Sequence, residues 1–358
     1  MKIFKINNIF FVFAFWIGLY FPIYPICTDL YSSVQKVETK VTVYNNLFLT
    51  KSGLLPLPKN AIELNHKYSI QSDHFQFPRK MTSDIFGNIY ISDKGKSSIY
   101  KFDKNGEFLQ QIGKEGKKKG CFLFPLNILA SDVLIVQDVK KKSLEYIDLE
   151  GKYIKSQKIS GFIDISIDGN NRLYVAPDIQ DEKSSLVKIY SSDGKMLDSF
   201  GQPLSFHHSM QILNKRTLAL NSKGELYIAF TYFPIVRKYS SDGELLSEFR
   251  IENLITEVKD NFNLQRIGEG IANPLRRFGY IEVTIDIEIF KDEIYLLSDY
   301  PRLEILVMDE TGDITSTYWK DNQEINKAND FLIHEIGNQF EFFVLHSFPS
   351  KIEINVFK

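Results

Sequence analysis

From residue 61 onward, apolar and polar residues alternate in short runs, and the runs return in a fixed order. "NIYISD" (88–93) and "ELYIAF" (225–230) follow the two-residue period of a pleated strand with one face turned inward. "FDKNGEFLQQIG" (102–113) adds two further runs around a turn. The same arrangement recurs as "IDLEGKYIKSQKI" from Ile147, "YSSDGKMLDSFG" from Tyr190, "YSSDGELLSEF" from Tyr239 and "MDETGDITSTYW" from Met308. The turn triplets "KNG", "LEG" and "SDG" supply a residue that tolerates positive φ, as tight hairpins require. The repeating unit is therefore four short strands: strand, turn, strand ending in Asp, strand, glycine turn, strand.

The turn glycines Gly106, Gly151, Gly194, Gly243 and Gly312 are 45, 43, 49 and 69 residues apart. A four-stranded repeat of about 40–50 residues predicts a β-propeller blade, and the wider last gap predicts an insertion at 251–280. A sixth unit, "DFLIHEIGN", "QFEFFVLH" and "KIEINVFK", has three strands before the sequence given ends. A missing outer strand would bare a hydrogen-bonding edge. The unpartnered "AIELNHKYSIQS" (61–72) is expected to fill it beside 351–357. The fold expected is all-β, a six-bladed propeller of four-stranded antiparallel blades closed by an N-terminal strand.

Composition narrows the partners. The chain has 358 residues, a net charge of −2 and 25% charged residues, which argues against a general affinity for nucleic acid. The first residues stand apart from the repeats. Lys2 and Lys5 precede the apolar run "IFFVFAFWIGLYF" (9–21), the pattern of an export signal or an uncleaved membrane anchor. The expected organisation is 1–26 as signal or anchor, 27–60 as linker and 61–358 as propeller. The expected place is outside the cytoplasm, periplasmic or at the cell surface, with the membrane touched only through the N-terminal segment. Cys27 lies where a lipoprotein carries its acylated cysteine, but "YPI" before it lacks the usual small residue. Cys121 is expected to pack as a small apolar side chain.

The stretch "FQFPRKMTSDIFGNIYISDKGKSSIYKFDKNGEFLQQIG" (75–113) resembles an NHL repeat, and the chain from its first strand onward resembles exported bacterial six-bladed propeller proteins. The family's Pro before the innermost strand is matched by Pro78 and Pro125. Its Asp after the second strand is matched by Asp93, Asp138, Asp178 and Asp299. Blade four departs with Phe230, and blade six has His346 nearby. The resemblance implies architecture more than activity, because propellers host many functions.

Candidate chemistry is sparse. Arg79 and Arg216 each lie eight residues before a first-hairpin glycine, in blades expected to face each other, and could clamp an anion. Ordinary surface arginines are the plainer reading. Arg276 and Arg277 in the insertion could add to a docking surface. His74, His208 and His334 could converge on zinc, an arrangement similar to the propeller lyase that cleaves peptidyl hydroxyglycines. Asp164, Asp286 and Glu288 could bind calcium, as in propeller lactonases. Asp84 and Asp168 read as turn residues, and "KEGKKKG" (114–120) as a basic loop. No phosphate loop, nucleophile elbow or CxxC pair is present. The sequence therefore points to a scaffold without a cofactor that binds a protein, peptide or glycan, at the channel mouth or on blade loops. A metal-dependent lyase or hydrolase in the channel is the alternative.

Overall fold

The computed structural model describes residues 49–50, 53–71, 74–159, 161–206, 208–272, 279–321, 327–336, 339–348 and 353–357. Residues 1–55 form a unit of their own, in which a two-residue hairpin, Leu49–Thr50 with Gly53–Leu54, is described. The second unit, 56–358, is the propeller. Among the described residues no helix is long and apolar enough to cross a membrane.

Six sheets of antiparallel strands make the blades. Their innermost strands are Pro78–Ser83, Pro125–Ala130, Phe162–Ile167, Arg216–Leu220, Asp286–Phe290 and Lys327–Ile336. Chain direction alternates along each blade, so the loops between blades and the hairpins joining second to third strands share one face of the ring. We call it the upper face. The other two hairpins of each blade lie on the lower face.

The recurring Asp has a defined task. The Asp93 carboxylate ends the second strand of blade one and accepts the backbone N–H groups of Gln76, Phe77, Gly95 and Lys96 at 2.6–3.0 Å. It thereby ties the loop leading into the blade to the upper hairpin. Asp138 does the same for Leu123, Phe124 and Lys141. In blade four the position is the apolar Phe230, and its cross-strand partner is Arg216. Several of the lower hairpins are Asx turns. Asp103 Oδ1 accepts from the Asn105 and Glu107 amides at 2.9 and 2.8 Å, while Gly106 takes φ 86°. A Cβ on Gly106 would stand 2.6 Å from Ile70, so the glycine also lets neighbouring blades close on each other.

Between the blades lie six apolar clusters, one at each junction. At the closure, Ile91, Tyr100 and Phe102 of blade one pack with Leu332, Phe343 and Leu345 of blade six and with Ile70. A blade alone would expose this face to water, so each blade depends on the next.

The closing segment does two jobs where one was expected. His66–Gln71 pairs antiparallel with Glu353–Phe357 and completes blade six. Just before it, Ala61–Glu63 pairs in parallel with Thr317–Trp319, adding a fifth strand to blade five. The insertion folds as helix α1, Leu254–Ala272, on the upper face between blades four and five. Its inward stripe is largely polar. Asn263 is fully buried and bonds the backbone of Tyr232 and Ile281, and Lys259 Nζ donates to the Glu282 carbonyl and the Ser298 hydroxyl. This explains the mixed spacing of the segment: the helix is anchored by hydrogen bonds more than by an apolar stripe.

Deleting residues 1–71 removes the closing strand and bares the edges at Glu353–Phe357 and Thr317–Trp319. The expected outcome is a lower thermal midpoint and concentration-dependent association in sedimentation velocity. A monomeric ring with an unchanged midpoint would contradict the closure.

Candidate functional site

Strand pairing puts Lys80, Asn127, Asp164, Thr217, Asp286 and Asp330 at equivalent places on the six inner strands. One step further along the same face come Thr82, Leu129, Ser166, Ala219, Glu288 and Leu332. The first set is a ring of polar side chains that fasten one inner strand to another. Lys80 Nζ lies 2.7 Å from both Asp286 and Asp330, so blade one is ion-paired to blades five and six. Asp330 also accepts the Met81 amide, and Asp164 accepts the Leu218 amide at 2.9 Å. Thr217 donates to Asp286 at 3.0 Å, Asn127 to the Ile163 carbonyl at 3.1 Å, and Thr82 Oγ1 accepts the Ala130 amide at 3.0 Å.

Four carboxyl groups share this space with one ammonium, and they titrate apart. Burial pulls the Lys80 ammonium down, but Asp286, Asp330 and Asp164 outweigh it and hold the lysine charged well above its ordinary range. Burial likewise pushes Asp286 up, and Lys80 and the hydrogen bond from Asp330 bring it below the usual value. Asp330, buried and facing the Asp286 charge, is raised well above the carboxylate range. Asp164 is raised, chiefly by burial. Burial, with Asp286 next, pushes Glu288 up to about 8.

Above this ring the upper mouth is cationic. Lys215 precedes the inner strand of blade four and Lys327 begins that of blade six; their ammonium groups stand 2.7 and 2.9 Å from the two oxygens of Glu282. Burial raises Glu282, but the two lysines win and hold it at about 2. Arg79 reaches Asn329 at 3.5 Å. Tyr232 and Tyr280 sit 5.7 Å apart beside Lys215, whose ammonium lies 5.9 Å from the Tyr232 ring.

A family model described as 6-bladed beta-propeller, DUF5128, matches residues 81–259, half of the chain. The chain belongs to that family. No curated protein matches it. Among solved structures it is similar to a member of the DUF4221 family from Bacteroides vulgatus, with 9% identity and a TM-score of 0.54 over 84% of this chain and 99% of that one. It is similar to a protein from Bacteroides fragilis, with 10% identity and a TM-score of 0.52 over 83% and 98%. A catalytically inactive virginiamycin B lyase from Staphylococcus aureus with quinupristin gives 12% identity and 0.50 over 80% and 87%. At these identities the likeness is one of fold.

The residues singled out in the sequence separate on this six-bladed ring. Arg79 sits in the bulge between Pro78 and Lys80, whereas Arg216 pairs with Phe230 and turns into the protein. It is 2% exposed and donates to the carbonyls of Pro177, Leu186 and Asn214. Burial drags it down to about 9. The cation that blade four offers the mouth is its neighbour, Lys215. Arg276, Arg277 and the His208 side chain lie outside the described residues. His74 stacks on Phe108 at 4.7 Å, and His334 packs on Phe343 at 4.6 Å. His334 is held below its usual value by burial. Asp164, Asp286 and Glu288 do share the channel, with the Lys80 ammonium among them. Among the described residues no group of three or more His, Cys, Asp or Glu is arranged to hold a metal ion. Asp84 and Asp168 cap turns, through the Phe86 and Asn88 amides and the Asn170 and Arg172 amides. The sequence reading missed Lys80, Asp330, Lys215, Glu282 and Lys327. A polar residue at one register of every inner strand was the available signal.

Glu288 predicts a pH dependence. Its folded value, about 8, lies above its unfolded one, so the native state binds this proton more tightly. Stability is unaffected below the unfolded value and falls as pH rises from there to about 8. In urea unfolding between about pH 5 and 8, wild type should lose on the order of 1–3 kcal/mol more than Glu288→Gln. Parallel pH profiles for the two would contradict the assignment.

Proposed function

We propose that this protein is an exported, non-catalytic scaffold built from NHL-like blades, which holds a peptide or glycan partner at its upper face. One observation carries the reading: Lys80, Asp164, Asp286 and Asp330 in the channel are bound to one another or to the inner-strand backbone. Lys80 holds Asp286 and Asp330, and Asp164 and Asp330 hold the Leu218 and Met81 amides. Of these groups, any drawn into catalysis would have to leave the bonds that fasten the ring. The upper mouth is different. Lys215 and Lys327 flank the carboxylate of Glu282, Arg79 bonds Asn329, and half-buried Tyr232 and Tyr280 stand beside Lys215. Cations next to aromatic faces suit a partner bearing carboxylates on a sugar or peptide frame.

Export is supported by the basic and apolar N-terminal pattern of 1–26. The Bacteroides fragilis structure belongs to a protein named as exported. The alternative is a lyase, the activity named for the Staphylococcus aureus structure of the same fold. Glu288, with its proton released near pH 8, would be the acid or base for it.

Thermal-shift screening of acidic oligosaccharides and peptides separates the two. The scaffold reading expects a ligand that raises the midpoint and is recovered intact by mass spectrometry after long incubation. Its affinity should fall about 10- to 100-fold in Arg79→Ala/Lys327→Ala and hold in Glu288→Gln. A ligand that is cleaved, with cleavage lost in Glu288→Gln, would replace the scaffold by the lyase.

A further inference from the structure

Lysines in hairpin 94–97, loop 113–124 and hairpin 139–142 and at 158 gather on one part of the upper face. Between Gly113 and Ile159 the chain has ten lysines, and from 80 to 171 it has no arginine. Topology brings three upper segments together: hairpin 94–97 of blade one, loop 113–124 between the blades, and hairpin 139–142 of blade two. Lys158, at the upper end of the outer strand of blade two, joins them.

Contacts confirm the convergence. Lys141 Nζ donates to the carbonyls of Cys121 at 2.6 Å and Lys118 at 3.3 Å, and Lys158 Nζ donates to the Lys141 carbonyl at 3.1 Å. Lys94 and Lys140 approach the same Phe124 ring, each at 5.4 Å from its centre, and Lys119 lies 5.7 Å from that of Tyr153. Carboxylates are scarce. Asp93 and Asp138 are buried and spent on backbone amides. Among the described residues, Lys141 is the one lysine of this group within 4 Å of a carboxylate, Glu145 at 3.7 Å. A chain with a net charge of −2 thus carries a dense cationic crescent at one place.

We propose that this crescent binds a linear polyanionic polysaccharide of the polyuronate kind. The proposal rests on the exported-scaffold reading and supplies a ligand class for it, at a surface separate from the mouth cations. Three features select the class. Lysines present mobile point charges, which suit a row of spaced carboxylates; the planar fork that reads single carboxylates on protein surfaces belongs to arginine. The two rings of the patch are covered by ammonium groups, so they give no open platform for nucleobases. Within these segments Val139 is the one large apolar side chain that is clearly exposed, at 40%, whereas protein partners are held by an apolar, water-excluded centre.

The test is affinity electrophoresis and calorimetry of the full-length chain with sodium polygalacturonate, compared with poly-L-glutamate, single-stranded DNA and dextran. Polygalacturonate should bind, weaken about tenfold or more between 50 and 200 mM salt, and outcompete the other two polyanions at equal charge. Lys118→Ala/Lys119→Ala/Lys142→Ala should weaken it about tenfold. Lys104→Ala/Lys195→Ala, on lower hairpins, should leave it unchanged. Absence of binding, an unaffected triple variant, or equal binding of polyglutamate or DNA would each overturn the proposal. A ligand that remains intact and responds to Arg79 and Lys327 but not to this triple variant would leave the scaffold reading standing while this inference falls.

Discussion

The ring depends on how six strands can meet near one axis without an apolar core to fill the centre. The answer in this chain is the Lys80 ammonium, held 2.7 Å from both Asp286 and Asp330. Those three residues come from blades one, five and six, so the contact fastens the part of the ring where chain ends must be joined. Asp330 and Asp164 extend the fastening to the amides of the following strands. A buried charge is costly unless paired and hydrogen-bonded; Asp286 is paired with Lys80 and also accepts from Thr217. The apolar junctions outside it then have fixed inner strands to pack against.

The same arrangement shapes the functional reading. Asp164, Asp286 and Asp330 are occupied inside the ring, while the lysines of the crescent on the upper face have few carboxylates beside them. The Asp93 and Asp138 clamps fix the backbone of these upper loops, on which Lys96, Lys118, Lys119 and Lys142 are exposed. Helix α1 adds to this face without an apolar stripe, through Asn263 and Lys259. Fixed loop bases with variable tips are the means by which one propeller scaffold serves many ligands.

The architecture was legible because its signals are local. An Asx turn with glycine is written in four consecutive residues, as at Asp103–Gly106, and the Asp clamp recurs at the same place in several blades. The channel ring was not legible, because its register passes through bulges. Pairing skips a residue between Pro78 and Lys80 and between Phe162 and Asp164, but not in blade four. Counting back from hairpin glycines selected Arg79 and Arg216, one residue away from the channel-facing Lys80 and Thr217, because a count along one strand does not show which side chain faces the channel. The same count could not tell that Arg216 spends its guanidinium on three carbonyls. The closing segment was placed correctly beside blade six. Its first residues pair with blade five because the chain reaches the closing position by running along that outer edge.

The central claim is that Lys80, Asp286 and Asp330 hold the ring as a coupled unit, and a mutant cycle in urea unfolding at neutral pH measures this directly. Lys80→Met leaves buried carboxyls without their cation and should cost about 3–5 kcal/mol. Adding Asp286→Asn and Asp330→Asn to it should restore a large part of that loss, since the two carboxyls that the ammonium contacts are then neutral. If Lys80→Met stays within about 0.5 kcal/mol of wild type, or if the three changes simply add, the ring is held by its apolar junctions and the account is wrong.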